Sequence, residues 1–223
     1  MRISSGPCVI VGGGPLDMEW AKKYVEEIPS PMTIACDKGI SFFFENNWCP
    51  DLFVSDDDSA DPEMIDWAER KEQALKHPLP VHKDVTDSEE ALQIAIEAGC
   101  DPIYLIGMTG GRLDHTIGNI QILRQAADAG VHAYLVDEYS RALMVCTGNK
   151  EIVLEREKAY GSCFSLFAIG GQVAGLTIEG AEYPLKDAIL FGSDSLGVSN
   201  QFEEDEVRIS FESGHLLVVE SRD

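Results

Sequence analysis

Over the first 136 residues, short apolar runs alternate with apolar positions at helical spacing, the pattern of βα units feeding a parallel sheet. Cys8 to Val11 is apolar throughout and reads as a buried strand, followed by the turn Gly12-Gly13-Gly14-Pro15. Met18, Ala21, Val25 and Ile28 then recur on one helical face, and Asp17 is placed to cap that helix. Further strands are expected at Met32 to Cys36, Leu52 to Val54 and Leu79 to His82. Asp61-Pro62 opens the helix before the last of them. Asp87 and Glu90 have capping-box spacing for a helix carrying Ala91, Leu92, Ile94, Ala95 and Ala98, which Gly99 ends. Pro102 to Ile106 reads as a fifth strand, Thr116 to Ala129 as a helix and Val131 to Val136 as a sixth strand.

Beyond Asp137 the helical period disappears. Short runs at Ala142 to Cys146, Glu151 to Leu154, Phe164 to Ala168, Gln172 to Ile178, Val207 to Phe211 and His215 to Val219 are separated by Gly, Asn, Ser and Asp turns. The pattern predicts an α/β domain over residues 1–138 and a smaller all-β domain over 139–223, with the boundary near Asp137 to Ser140. The longest uncharged stretch, Tyr160 to Ile178, holds four Gly, two Ser, a Thr and a Gln, so it suits a β-hairpin better than a bilayer span. No membrane segment or secretory signal is expected, and no internal repeat occurs.

Composition narrows the partners. With 17 basic and 39 acidic side chains the net charge is −22, which argues against nucleic acid and anionic membranes, since both reward clustered Lys and Arg. At 44% hydrophobic and 25% charged, the chain is that of a folded protein. Its six cysteines show no CxxC pair and no short Cys/His spacing, so neither a zinc knuckle nor a disulfide scaffold is indicated. Cys8, Cys36 and Cys146 sit in apolar runs and read as small buried hydrophobes in a reducing cytoplasm.

In a parallel sheet, ligands sit at the carboxyl ends of the strands. That rule collects Gly12 to Gly14, Asp37, the run Asp56-Asp57-Asp58-Ser59, then Asp84, Thr86 and Asp87, and finally Gly107 to His115. Any single Asp in a loop is accounted for by capping, and Asp17 and Asp61 are assigned to that role. Three adjacent carboxylates repel one another, however, and their hard oxygens suit Mg²⁺ or Mn²⁺. The glycine and glutamate of an EF-hand loop are missing.

Thr109-Gly110-Gly111-Arg112-Leu113-Asp114-His115 is the second informative segment. Paired glycines after a strand let backbone N–H groups approach phosphate, a following helix N-terminus favours anions, and Arg112 offers a bidentate cation. A Gly-Gly pair alone is equally a tight turn, but a turn needs no Arg, Asp and His in sequence. The segment lacks the Gly-Lys-Ser/Thr ending of a Walker A loop, and Gly12 to Pro15 completes no dinucleotide fingerprint. In the β domain, the polar stretch Gly192 to Asn200 is either an ordinary loop or a set of hydroxyls and an amide able to orient a small ligand.

Five segments together carry a family resemblance: Ala35 to Gly39, Pro50 to Ser59, Lys83 to Leu92, Thr109 to Asn119, and Gly192 to Phe202. In order and spacing the chain resembles thiamine pyrophosphokinases. The resemblance implies a parallel-sheet, Rossmann-like α/β domain followed by a C-terminal β-sandwich, a homodimer, and transfer of pyrophosphate from Mg-ATP to the hydroxyethyl group of thiamine. It implies that Asp56, Asp58, Asp84 and Asp87 are catalytic and hold Mg²⁺. It further implies that Asp37, Thr109, Gly110, Gly111, Arg112, Asp114, His115 and Asn119 line the nucleotide site, and that Ser195, Ser199 and Asn200 hold thiamine. Two departures stand out: Cys36-Asp37-Lys38-Gly39 where the family usually has Ala-Asp-Gly-Gly, and Ser55-Asp56-Asp57-Asp58-Ser59 where it has Gly-Asp-Phe-Asp-Ser. The alternatives are a related pyrophosphokinase for another alcohol, such as a hydroxymethylpterin, and a catalytically silent nucleotide- or metal-binding homologue.

Overall fold

The structure, a computed structural model, describes residues 6–55, 62–70, 75–78, 85–146 and 151–222. The chain divides into two compact units, Met1–Glu138 and Tyr139–Asp223.

Among the described residues, the first unit has six parallel strands, β1 (Cys8–Val11), β2 (Met32–Cys36), β3 (Leu52–Ser55), β4 (Leu75–Pro78), β5 (Ile103–Ile106) and β6 (Ala133–Val136). Their order in space is β6-β5-β1-β2-β3-β4. All four residues of β1 are buried, as are all four of β3, because parallel strands are covered on both faces by their crossover helices. The helices are α1 (Met18–Glu26), α2 (Ile40–Glu45), α3 (Pro62–Arg70), α4 (Asp87–Glu97) and α5 (Leu113–Asp128). Asp17 caps α1 by accepting from the Trp20 N–H at 2.8 Å. All six cysteines are thiols. Cys8 and Cys100 are buried together, and their mutual hydrogen bond, followed by burial, pushes the Cys8 thiol up.

Several boundaries differ from the sequence pattern. The strand paired with β3 is Leu75–Pro78; the strand expected at Leu79 to His82, and Asp61, fall outside the described residues. The cap of α4 is Thr86 rather than Asp87: its hydroxyl accepts from the Glu89 N–H at 3.3 Å, which makes Asp87 the first helical residue. Helix α5 starts at Leu113, three residues before Thr116. The extended Arg112 at its N-cap has no capping side chain to announce it. Helix α2 was not expected, since six residues are too few to display a period; Ile40, Phe42 and Phe43 bury it.

The second unit has two antiparallel sheets. One runs β12 (Asn200–Gln201), β9 (Cys163–Ala168), β14 (His215–Ser221), β7 (Ser140–Cys146); the other runs β11 (Leu185–Phe191), β10 (Gln172–Glu179), β13 (Glu206–Ser210), β8 (Ile152–Glu155). Alternate residues point inward. Phe164, Leu166, Leu216 and Val218 of the first sheet pack with Val173, Ile178, Leu190 and Ile209 of the second in one core. Tyr160 to Ile178 is therefore not a hairpin, because β9 and β10 belong to different sheets and Gly170 and Gly171, both at positive φ, join them.

The chain reverses its direction across the first sheet between β1 and β5, and there two loop backbones pack closely together. Beyond the ends of these strands, Gly12 N donates to Ile106 O (2.9 Å) and Gly14 N to Gly107 O (2.7 Å). A Cβ on Gly14 would stand 2.7 Å from Gly107 O, and one on Gly107, at φ +64°, would stand 2.7 Å from Gly12 O. No side chain fits between the two loops. Gly107→Ala should therefore destabilise the protein by about 2 kcal/mol, a fall in melting temperature of roughly 4–8 °C in a chain of this size. An unchanged melting temperature would show that the loops do not approach this closely.

Candidate functional site

At this reversal, the carboxyl ends of β1, β2 and β5 and the first turns of α4 and α5 surround a cavity of about 570 Å³. Eight of the residues singled out in the sequence stand in its wall: Asp37, Asp87, Thr109, Gly110, Gly111, Arg112, His115 and Asn119. Asp114 lies beside it, in an adjoining pocket that shares Thr86, Ser88, His115 and Asn119 with the main cavity. Asp56, Asp57, Asp58 and Asp84 lie outside the described residues.

The loop after β5 is shaped by backbone conformation and two side-chain clips. Gly107, Gly110 and Gly111 all have positive φ, at +64°, +73° and +62°. Buried Asn119 reaches back from α5 and donates to Met108 O at 2.8 Å, while the Thr109 hydroxyl donates to Asp137 Oδ2 at 2.8 Å, at the end of β6. Asn119 and Thr109 thus hold the loop in shape as well as lining the cavity. The loop runs directly into α5, so the helix N-terminus and its partial positive charge face the cavity.

Arg112 is steered by its neighbour. Its Nε donates to Asp114 Oδ1 (3.1 Å) and its Nη2 to Oδ2 (2.6 Å), and the same Oδ1 accepts from the His115 N–H (3.0 Å). The Arg112 guanidinium, with the His115 N–H behind it, holds the Asp114 carboxyl down at about 2. In turn Asp114 raises the pKa of Arg112. Both side chains are mostly exposed, so the pair is a steering device that salt weakens, with little weight in stability.

On the opposite wall, Asp37 sits at φ +55°, a left-handed conformation that costs a non-glycine residue about 1 kcal/mol or more. Its Oδ1 is buried. Lys38, noted in the sequence only as a departure from a family motif, lines the same cavity with its Cβ side against Gly13, where a Cβ would come within 2.8 Å. It brings a second cation to the site. The signal was its position just past the end of β2, and a lysine there is easily read as surface.

For a divalent cation the available donors have the right chemistry: Asp37 and Asp87 present hard carboxylate oxygens to the cavity, as Mg²⁺ requires. Among the described residues no group of three or more candidate ligands stands together.

In the second unit, the loop carrying Ser195, Ser199 and Asn200 is pinned onto β9. Leu166 N donates to Gly197 O (2.8 Å), and Ser199, at φ +61°, donates its N–H to the Ser165 hydroxyl (3.0 Å). Asn200 is buried. Its Oδ1 accepts from the N–H groups of Tyr183 (3.0 Å) and Gln201 (2.9 Å), and its Nδ2 donates to Tyr183 O (2.9 Å). Both lone pairs of Oδ1 are engaged, so the residue organises the loop. Ser195 and Ser199 are exposed, next to the exposed apolar side chains of Leu196 and Val198.

Comparison with known proteins agrees with this geometry. Residues 23–135 match the family model "Thiamin pyrophosphokinase, catalytic domain", and residues 149–216 match "Thiamin pyrophosphokinase, vitamin B1 binding domain". Thiamine pyrophosphokinase of Bacillus subtilis (strain 168) is 30% identical over 215 residues, 96% of this chain and 98% of that one. The crystal structure of the Bacillus subtilis enzyme superposes with a TM-score of 0.86 at 28% identity, covering 97% of this chain and 99% of that chain. That of the thiamin pyrophosphokinase from Geobacillus thermodenitrificans gives 0.84 at 28% identity, covering 97% and 98%. With a catalytic-domain match over the parallel-sheet unit, a vitamin B1 binding domain match over the β-sandwich unit and a 30% identical relative covered almost end to end, the chain belongs to the thiamine pyrophosphokinase family.

Proposed function

We propose that this protein transfers the β,γ-pyrophosphoryl group of Mg-ATP to the hydroxyethyl group of thiamine, giving thiamine diphosphate and AMP in the cytoplasm. The observation that carries this reading is the cavity at the β1/β5 reversal, where glycine backbone, the α5 N-terminus, Arg112 and Lys38 converge beside the carboxylates of Asp37 and Asp87. Both family models matched by the chain are of thiamin pyrophosphokinases, and nothing favours a pterin alcohol or a silent homologue.

In this reading the loops Gly12–Gly14 and Gly110–Arg112 cradle the triphosphate. Arg112, aligned by Asp114, and Lys38 neutralise charge that builds as the bond breaks. His115, Asn119 and Thr109 complete the wall. Asp56, Asp58, Asp84 and Asp87 would hold Mg²⁺, which when bound neutralises phosphate charge and orients the chain of phosphates. The thiamine hydroxyl oxygen attacks the β-phosphorus in line. The bond from that phosphorus to the α,β-bridging oxygen breaks, AMP leaves, and the hydroxyl proton passes to a carboxylate of the Asp set. Ser195 and Ser199 would contact thiamine directly, with Asn200 keeping their loop in place.

We also propose a homodimer. Leu196, Val198, Tyr183, Ile189 and Phe191 are exposed apolar side chains of the second unit, and a partner subunit would cover them. In sedimentation the protein is then expected at twice the 24.4 kDa chain mass; a monomer at assay concentration would contradict this.

The activity is tested by incubating the protein with ATP, Mg²⁺ and thiamine and following products. AMP and thiamine diphosphate should form in equal amounts; formation of ADP, or no product, would refute the assignment. Asp87→Asn should lower kcat by about two orders of magnitude or more. The same change should cost under about 1 kcal/mol of stability, since Asp87 is a first-turn acid and not the cap. Unchanged turnover would remove Asp87 from the machinery.

The Asp114 carboxyl, depressed from 3.8 to about 2 in the folded protein, makes a contribution that is complete above about pH 4 and lost as pH falls through about 2. Asp114 therefore stays ionised, and able to pair with Arg112, from pH 9 to pH 5. NMR titration of the Asp114 side-chain carboxyl should give a midpoint near 2, and a midpoint near 4 would show that Arg112 does not hold it.

A further inference from the structure

Beside the proposed phosphate cavity, α4 and α5 border a second, open pocket of about 420 Å³, to which the phosphate-binding reading assigns no role. One wall carries Glu89 and Gln125. Gln125 Nε2 donates to Glu89 Oε1 (2.6 Å), and Gln125 Oε1 accepts from Gln93 Nε2 (3.2 Å). This relay crosses from α4 to α5 and back and fixes the half-buried Glu89 carboxylate in one orientation. Glu89 Oε2 makes no hydrogen bond among the described residues, so an acceptor of fixed direction is held in the pocket wall.

The other observation is Gly118, in the interior of α5 and in the wall of the same pocket. A Cβ there would meet nothing within 4 Å. A glycine inside a helix is disfavoured relative to alanine, and neither backbone conformation nor crowding calls for one here. What its absent side chain leaves is a flat stretch of helix against which a planar ring can lie.

We propose that this pocket receives the aminopyrimidine edge of a substrate, with Glu89 Oε2 accepting a hydrogen bond from the exocyclic amino group and Gly118 giving the ring room. The inference rests on the pyrophosphokinase reading, in which two substrates present that edge: the adenine of ATP and the pyrimidine of thiamine. Both fit the chemistry of the pocket. Glu89 is then a specificity determinant, favouring a ring amino group over a ring carbonyl, which would set two acceptors face to face.

The test measures binding to the full-length protein by calorimetry with Mg²⁺ present, for two pairs of ligands: ATP against ITP, and thiamine against its 4-oxo analogue. In each pair a carbonyl replaces the amino group. One pair should show a preference for the amino form of at least about tenfold, and Glu89→Gln, whose amide can turn to donate, should reduce that preference to within about threefold. The pair that responds names the substrate in the pocket. Gly118→Ala provides the second reading. It should raise the melting temperature by roughly 2–4 °C while weakening the same ligand by about tenfold or more. Preferences untouched by Glu89→Gln, or affinities untouched by Gly118→Ala, would overturn the proposal. Because these are binding ratios, they separate from the assigned activity. A protein that makes thiamine diphosphate with unmoved ratios disproves the subsite alone, and one with the predicted ratios but no product disproves the activity alone.

Discussion

Everything in the first unit depends on how closely two backbones approach each other. Where β1 and β5 end, Gly12, Gly14 and Gly107 pack carbonyl against Cα with no space for a methyl group. That contact leaves no room for side chains between the two loops, so glycine backbone lines this part of the cavity. It also sets the path of the Gly107–Gly111 loop, which places Arg112 at the cap of α5 and Asp114 and His115 in its first turn. Asn119 and Thr109 then lock the loop from behind. Loosening the glycine contact would displace the groups proposed to meet the anion.

A protein of net charge −22 is an unexpected host for a triphosphate. Its field repels anions, and at physiological salt such fields fade beyond roughly 8 Å, so the binding charge must be local. Locally there are four sources: Arg112, Lys38, the N-terminus of α5 and the cation that the Asp set would hold. In the proposed reading, Asp114 is an acid that serves the anion site. By forking with Arg112 it spends one carboxylate to hold a guanidinium in place, and it stays ionised across the working pH range because that guanidinium is there. The remaining acids on the surface favour solubility, and their sign suits a cationic thiazolium substrate.

Much of this was legible in the chain because the signals were local. Continuous apolar runs marked β1, β2 and β5, Asp17 marked the start of α1, and loss of helical period at Asp137 marked the second unit. Gly-Gly-Arg-Leu-Asp-His pointed to the cavity, whose wall holds Gly110, Gly111, Arg112 and His115, because no turn requires that set of side chains. What escaped depended on three-dimensional geometry that residue type and spacing do not carry. The division of labour between Thr86 and Asp87 is invisible when both are capping residues. That Asp114 grips Arg112, and that Asn200 spends its amide on Tyr183 and Gln201, are facts of geometry that residue type does not disclose. Tyr160 to Ile178 has the composition of a hairpin, yet its two strands are claimed by different sheets because their alternating apolar faces meet across the core. Gly118 is not distinguished by its residue type, and only the open space around it makes it informative.

The central claim is that the triphosphate lies in the cradle between the β1 and β5 loops. It is tested most directly by a crystal structure with Mg²⁺ and an ATP analogue carrying a methylene bridge between its α- and β-phosphates, the linkage that the proposed reaction breaks. The phosphates should lie within hydrogen-bonding distance of the Gly110–Arg112 backbone, with the Arg112 guanidinium on the β- or γ-phosphate. Phosphates bound elsewhere, with this cradle holding only water, would contradict the account.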